Sequence, residues 1–139
     1  FVDNTGILYS GLYEMNGEMG DNINSNYKNF AKYSFNYKIK NNTKLKSDLT
    51  SKENTTISVI ATNIELNKLD LYKIAKMCTS GLSRAIQPVG TPMDGDIIFV
   101  VSSNEKKLNI NEYNITQIGS LASDTLTRAV GRAVFSAIQ

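Results

Sequence analysis

The chain contains no histidine and has one cysteine, Cys78, among its 139 residues. Without histidine, its side chains cannot form a Ser-His-Asp triad or a Cys-His pair. One cysteine cannot make an internal disulfide or a zinc cluster, and we expect Cys78 to be a small core hydrophobe on a helix face. The composition therefore predicts neither a metal site nor a cofactor. A hydroxyl nucleophile in this chain would need a carboxylate, a lysine or an α-amino group as its base.

Long apolar runs and a strong charge bias are also missing. No stretch approaches the ~20 apolar residues of a membrane-spanning helix, no signal peptide is recognisable, and the formal net charge is only +2. We therefore expect neither a membrane nor nucleic acid as a partner, and a cytoplasmic location. The length corresponds to one soluble domain that can bury a substantial core.

A hydroxyl residue stands directly before a predicted buried strand. The tripeptide Asn54-Thr55-Thr56 precedes residues 57–62, which are apolar and β-branched as in such a strand. Cleavage between Asn54 and Thr55 would give Thr55 a free α-amino group, which titrates near pH ~8 and suits a general base at neutral pH. The alternative is ordinary turn chemistry, because Asn favours turns and Thr favours strand starts.

The residues upstream of this tripeptide give weaker signals. Residues 3–6 predict a turn between strand-like pieces within residues 1–13, and the alternation in residues 33–37 predicts a half-buried strand. Residues 38–54 are polar and almost free of apolar side chains, so we expect an exposed, mobile segment. Such a segment ending one residue before Thr55 is what a processing site would look like.

The residues downstream predict an α/β fold. Asn67 can cap a helix over residues 68–86, a second buried strand covers 97–102, and Asn111 can cap a long helix reaching about residue 138. The order strand–helix–strand–helix implies a sheet covered by helices. Within the first helix, Gly81 is expected to allow close packing against the sheet. The apolar stripe predicted for the last helix comprises Ile115, Ile118, Ala122, Leu126, Ala129, Val130, Ala133 and Val134.

Two carboxylates flank a glycine before the second strand, in Asp94-Gly95-Asp96. Thr55 and this pair occupy equivalent positions, each at the N-terminal end of a buried strand. If the two strands are parallel neighbours, these ends lie side by side, and the acids could orient and charge-balance an amine on Thr55. The alternative is a simple Asp-Gly turn.

Three separated blocks carry a family resemblance: residues 54–62 (NTTISVIAT), 81–88 (GLSRAIQP) and 91–96 (TPMDGD). In this order they resemble the N-terminal-nucleophile hydrolases that include L-aminopeptidase/D-amidase/D-esterase, β-peptidyl aminopeptidases and the 6-aminohexanoate-oligomer hydrolase. The last of these branches starts its nucleophile chain with Thr after Asn, as in this sequence, whereas the aminopeptidase branch usually has Ser after Gly. Ser58 is a minor departure, since many members have Gly there.

The resemblance implies an αββα sandwich of the ornithine-acetyltransferase type, of which this chain is the C-terminal part. It implies a precursor that cleaves itself between Asn54 and Thr55. Residues 1–54 would then be the C-terminal part of an α chain, and residues 55–139 a β chain with Thr55 as nucleophile and Asp94 and Asp96 beside it. An oxyanion-hole asparagine and a catalytic lysine or tyrosine are expected in a segment preceding Phe1.

The resemblance also implies partners: a peptide or small amide substrate, the upstream α-chain segment, and further αβ units in a homo-oligomer. Two other functions remain open at this stage. One is an acyltransferase of the ornithine-acetyltransferase type, which shares the fold and a Thr nucleophile. The other is a catalytically inactive α/β binding module whose Asn-Thr-Thr segment is only a turn.

Overall fold

The computed structural model describes residues 8–19, 55–92 and 94–137. The predicted turn at 3–6, the predicted strand at 33–37 and the segment 38–54 with Asn54 lie outside the described residues. The elements, in chain order, are a short 3₁₀ helix (Tyr9–Tyr13), strand β1 (Ile57–Ile64), helix α1 (Lys68–Ala85), strand β2 (Ile97–Lys106) and helix α2 (Glu112–Ala137). Tyr9 begins the 3₁₀ helix, so the strand-like piece predicted around it does not extend beyond Leu8.

Strands β1 and β2 are parallel neighbours, as the sequence predicts, with Ile57 opposite Ile97 and Val59 opposite Phe99. Each strand runs further than predicted, to Ile64 and to Lys106. Side chains alternate between the two faces of a strand. Consequently one face of this pair, which includes Ile60, Ile98 and Val100, packs on the helices.

Helix α1 begins where the sequence predicts it, because Asn67 Oδ1 accepts the backbone N–H of Asp70 at 2.9 Å. This bond satisfies one of the free N–H groups at the helix start. Its buried face includes Ile74, Cys78 and Leu82. Burial raises the pKa of the Cys78 thiol, which confirms this cysteine as a core side chain and not an activated thiolate.

Helix α2 also begins at the predicted residue. Asn111 and Asn114 exchange hydrogen bonds between side chain and backbone, at 3.1 and 2.9 Å. The predicted stripe is wrong at Ala129 and Ala133, which are exposed. The buried face instead includes a row of small residues spaced by four positions, namely Gly119, Ser123, Thr127 and Gly131.

The two helices approach closely at Gly81. A Cβ on Gly81 would overlap the backbone carbonyl of Ser123, so only glycine fits this contact. Thr127 Oγ1 donates to the Gly81 carbonyl at 3.0 Å across the same contact. The prediction that Gly81 packs against the sheet is therefore wrong: it packs against α2, because the small-residue row of α2 leaves room for the α1 backbone.

The outer face of the two strands carries apolar side chains that the described residues cover only in part. Ile57, Val59, Ile97, Phe99 and Val101 are 43–68% exposed. The core consequently lies between one face of the strand pair and the two helices. Within the described residues, neither helix has an apolar stretch long enough to cross a membrane.

Candidate active site at the start of the two strands

The starts of β1 and β2 are joined by two hydrogen bonds around Thr56. The Thr56 N–H donates to Asp96 Oδ1 at 2.7 Å, and the Thr56 carbonyl accepts the N–H of Ile97 at 2.9 Å. The first bond ends on a carboxylate and belongs to the stronger class of hydrogen bonds. Together they fix the backbone that immediately follows Thr55, so the structure brings Thr55 and Asp96 together as predicted from their equivalent positions.

The Thr55 side chain lies against Gly95. A Cβ built on Gly95 would stand 2.9 Å from Thr55 Oγ1, closer than real Cβ contacts, and Thr55 itself is exposed. Glycine therefore leaves the space that the Thr55 hydroxyl occupies. The sequence pattern around Gly95 indicates an Asp-Gly turn but not this role. The signal was available, since the parallel strand starts bring residue 95 beside residue 55.

Asp94 is held in its own turn. Its N–H donates to the Thr91 carbonyl at 2.9 Å, and its Oδ2 accepts the Thr91 N–H at 3.2 Å. Asp94 and Asp96 are both half-buried, and one oxygen of each is shielded from solvent. Of the two acids, Asp96 is thus bonded directly to the backbone next to Thr55, whereas the two bonds between Asp94 and Thr91 shape the loop that presents Asp96.

This arrangement places the exposed Thr55 hydroxyl at a rigid strand start, and the Asp96 carboxylate is bonded to the backbone N–H of the next residue. Such a carboxylate favours the protonated form of a nearby amine. It would therefore stabilise an α-ammonium at residue 55 if that amine took up a proton. Among the described residues, no group of three or more metal-ligating side chains occurs. Asn54, the other residue of the predicted processing site, lies outside the described part of the chain.

A second polar cluster, which no motif in the sequence indicates, joins α1 to α2. The Arg84 guanidinium pairs with Asp124 and donates to Ser123 Oγ at 3.0 Å, and Ser80 Oγ lies 2.8 Å from Ser123 Oγ. The hydrogen bond to Asp124 raises the pKa of Arg84. These contacts bind the helices to each other and involve none of the residues at the strand starts.

The chain is similar to proteins of one known peptidase family. The model of peptidase family S58 matches residues 13–139. The chain is 37% identical over 90 residues to the 6-aminohexanoate-oligomer endohydrolases of Kocuria sp. and Paenarthrobacter ureafaciens, covering 59% of this chain and 25% of each relative. It is 35% identical over 103 residues to an uncharacterized aminopeptidase of Mycobacterium leprae, covering 67% of this chain and 28% of that protein. The chain thus spans about a quarter of the length of these relatives. Because the family model covers nearly all of it, the chain belongs to peptidase family S58.

Proposed function

We propose that this chain is part of a self-processing amide hydrolase in which Thr55 is the nucleophile. The observation that carries the proposal is the juxtaposition at the strand starts. Thr55 Oγ1 lies against Gly95, and the next backbone N–H is bonded to Asp96. Membership of a peptidase family supports the reaction class. In this proposal residues 1–54 belong to the α chain and residues 55–139 to the β chain.

The first reaction is cleavage of the chain itself. Thr55 Oγ attacks the carbonyl carbon of Asn54, the C–N bond breaks, and the acyl group moves from nitrogen to oxygen. The hydroxyl proton ends on the released nitrogen, which becomes the α-amino group of Thr55. Water then hydrolyses the ester, giving a carboxylate on Asn54 and restoring the Thr55 hydroxyl.

The second reaction uses the same residue on a substrate. The α-amino group of Thr55 accepts the hydroxyl proton while Oγ attacks the substrate amide, and an acyl-enzyme forms that water releases. Asp96 stabilises the ammonium formed in this step and holds the Thr56 backbone, while Asp94 supports the loop. Base catalysis of this kind contributes about 10²–10⁴ in rate.

The proposed fold of the complete enzyme is an αββα sandwich. Support comes from the two faces of the strand pair: helices cover one, while Ile57, Val59 and Phe99 leave the other apolar and exposed. An apolar sheet face of this kind is stable when a second layer covers it. A second sheet on that face would leave Thr55 at the edge between the two sheets, where a substrate could reach it.

The substrate class follows from the relatives named above. They are called 6-aminohexanoate-oligomer endohydrolases and aminopeptidases, so their names share hydrolysis of amide or peptide bonds. For this chain we propose a peptide or a short amino-acid oligomer as the substrate. Hydrolysis is preferred to acyl transfer because the names of these relatives describe hydrolases.

Intact-mass analysis of the natural gene product tests the nucleophile. Wild type and Thr55→Ser, which keeps a hydroxyl at the same position, are expected to be cut between residues 54 and 55. Thr55→Ala is expected to stay uncut. Added amide substrate should give wild type a transient mass increase equal to the acyl group less the hydroxyl hydrogen that it replaces, located on the peptide that begins with Thr55.

Two outcomes would contradict the proposal in different ways. If wild type and Thr55→Ala are cut at the same rate, the Asn54 side chain has cyclised onto its own carbonyl and Thr55 is not the nucleophile of cleavage. If wild type and Thr55→Ser both remain intact, self-processing is wrong. Thr79→Ala, on the exposed face of α1, is a matched control that should be cut like wild type.

A further inference from the structure

The Thr55 side chain lies on the outer face of the strand pair. Solvent exposure alternates without interruption along residues 55–59 and 95–99, and the odd-numbered positions are the exposed ones. Side chains two positions apart on a strand point to the same face of the sheet. The proposed nucleophile therefore shares its face with Ile57 on its own strand and with Ile97 on the neighbouring strand.

Ile57 and Ile97 are the first apolar side chains on this face beyond Thr55, and we name them the isoleucine pair. They lie opposite each other in the two strands and are 68% and 43% exposed. With a rise of about 3.3 Å per residue and about 4.8 Å between strands, both Cα atoms lie within about 8 Å of the Thr55 Cα. Because apolar atoms make contact at about 4 Å, an acyl chain of about three or four carbons on Thr55 Oγ1 reaches the pair.

The face that continues from the isoleucine pair is also apolar. Val59, Phe99 and Val101 are exposed on it, and a second sheet in the proposed sandwich would cover these deeper positions. Asp96 belongs to the opposite face, and its carboxylate is bonded to the Thr56 N–H. An apolar chain placed on the pair gains free energy by leaving water, whereas a charged chain loses its hydration there without gaining a partner.

We propose that the isoleucine pair binds the carbon chain of the acyl residue, which is the substrate residue whose carbonyl Thr55 attacks. This inference rests on the proposed function and names its substrate class: peptides and amino-acid oligomers whose acyl residue carries an uncharged, apolar chain. Covalent chemistry selects this occupant. The acyl group is bonded to Thr55 Oγ in the acyl-enzyme, so its chain lies beside the pair for as long as that intermediate exists.

Hydrolysis of a series of p-nitroanilides by the natural gene product tests the pair. The acyl residues are glycine, alanine, α-aminobutyrate and norvaline, which lengthen the side chain one carbon at a time, and aspartate, which carries a charge. We expect kcat/KM to rise about fourfold per carbon and to be at least tenfold lower for aspartate than for norvaline.

Threonine variants keep a β-branched side chain on the strand and replace apolar surface with a hydroxyl. Ile57→Thr and Ile97→Thr should each lower the ratio of kcat/KM for norvaline to that for glycine at least threefold. Val101→Thr is the matched control on the same face, four positions beyond Ile97, and should keep the wild-type ratio. Because the ratio is taken within each variant, a general loss of folding or of chemistry cancels.

Binding without turnover separates this inference from the proposed function. Free norvaline or free glycine is added to the wild-type gene product, and the δ1 methyl resonances of Ile57 and Ile97 are followed by NMR. Norvaline should shift both more than glycine does, while the methyl groups of Leu121, exposed on α2, stay unchanged. If these shifts occur but no anilide is hydrolysed, the pair stands and the proposed function fails.

Three results would overturn the inference. One is a wild-type series that is flat or that favours aspartate, and another is an unchanged norvaline-to-glycine ratio in both threonine variants. The third is the absence of methyl shifts at the isoleucine pair, which would mean that a second layer of the complete protein covers the pair and leaves no room for substrate.

Discussion

Replacing Asp96 separates its role as a hydrogen-bond acceptor from its role as a charge. Asp96→Ala removes the acceptor of the Thr56 N–H, a bond of 2.7 Å at a half-buried position. A hydrogen bond to a charged group contributes about 1.5–3 kcal/mol. If the whole of this free energy stabilises the transition state, its loss slows cleavage before residue 55 by about 10- to 150-fold. Asp96→Asn keeps an oxygen that can accept the Thr56 N–H, and a neutral hydrogen bond contributes about 0.5–1.5 kcal/mol. Because the neutral bond is weaker than the charged one, we expect this variant to be cleaved about tenfold more slowly than wild type.

The assay is the rate of appearance of the two pieces by intact mass, with urea unfolding of each variant measured in parallel. Asp124→Asn is the matched control and should be cut like wild type, because Asp124 pairs with Arg84 between the helices, away from the strand starts. The expected order of rates is wild type, Asp96→Asn and then Asp96→Ala. Equal rates for Asp96→Asn and Asp96→Ala would refute the reasoning, since the charge and not the acceptor would then control the reaction.

Three further predictions use other contacts. Gly95→Ala should displace the Thr55 hydroxyl and slow cleavage at least tenfold, as measured by intact mass. Because Gly95 is exposed, the free energy of unfolding should change by less than about 0.5 kcal/mol. Gly81→Ala should lower the free energy of unfolding by about 1–3 kcal/mol in urea, because its Cβ meets the Ser123 backbone; unchanged stability would refute the close contact. Glu18 forms an ion pair with Arg128, which lowers the pKa of Glu18 from 4.5 to about 2. This pair therefore stabilises the fold above pH 4.5 and loses that effect as the pH falls toward 2. The gap in urea midpoint between wild type and Glu18→Gln should therefore be constant above pH 5 and narrow between pH 4.5 and 2; a gap independent of pH would contradict this.

Local signals were sufficient to predict the downstream elements. Apolar periodicity identified both strands and both helices, and Asn67 and Asn111 identified the helix starts to the residue, because capping depends on neighbours three positions away. The parallel pairing followed from the intervening helix. The juxtaposition of Thr55 and Asp96 could therefore be predicted from sequence, as two residues at equivalent positions on neighbouring strands.

The helix contact could not be predicted in the same way. A stripe of apolar residues assigned Ala129 and Ala133 to the core, yet both are exposed, while Thr127 and Gly131 are buried. Small residues let the backbones of two helices approach each other. The face of α2 that carries such residues is therefore set by where α1 packs and not by hydrophobicity. Glu18 was missed for a related reason: nothing near it in sequence indicates an arginine 110 positions away.

The position of the cut relative to these contacts decides what cleavage would change. Thr56 forms hydrogen bonds with Asp96 and Ile97, and Thr55 contacts Gly95. All of these residues lie downstream of the proposed cut. Cutting the bond before Thr55 therefore removes none of these three contacts. It adds an amine to a hydroxyl that is already positioned, so the new base needs no rearrangement of the strand starts to reach the nucleophile. We accordingly expect backbone amide exchange at Thr56 and Ile97 to be as slow in the cut protein as in uncut Thr55→Ala, measured by hydrogen exchange. Faster exchange after cutting would mean that the upstream peptide bond, and not Asp96, holds this strand start in place.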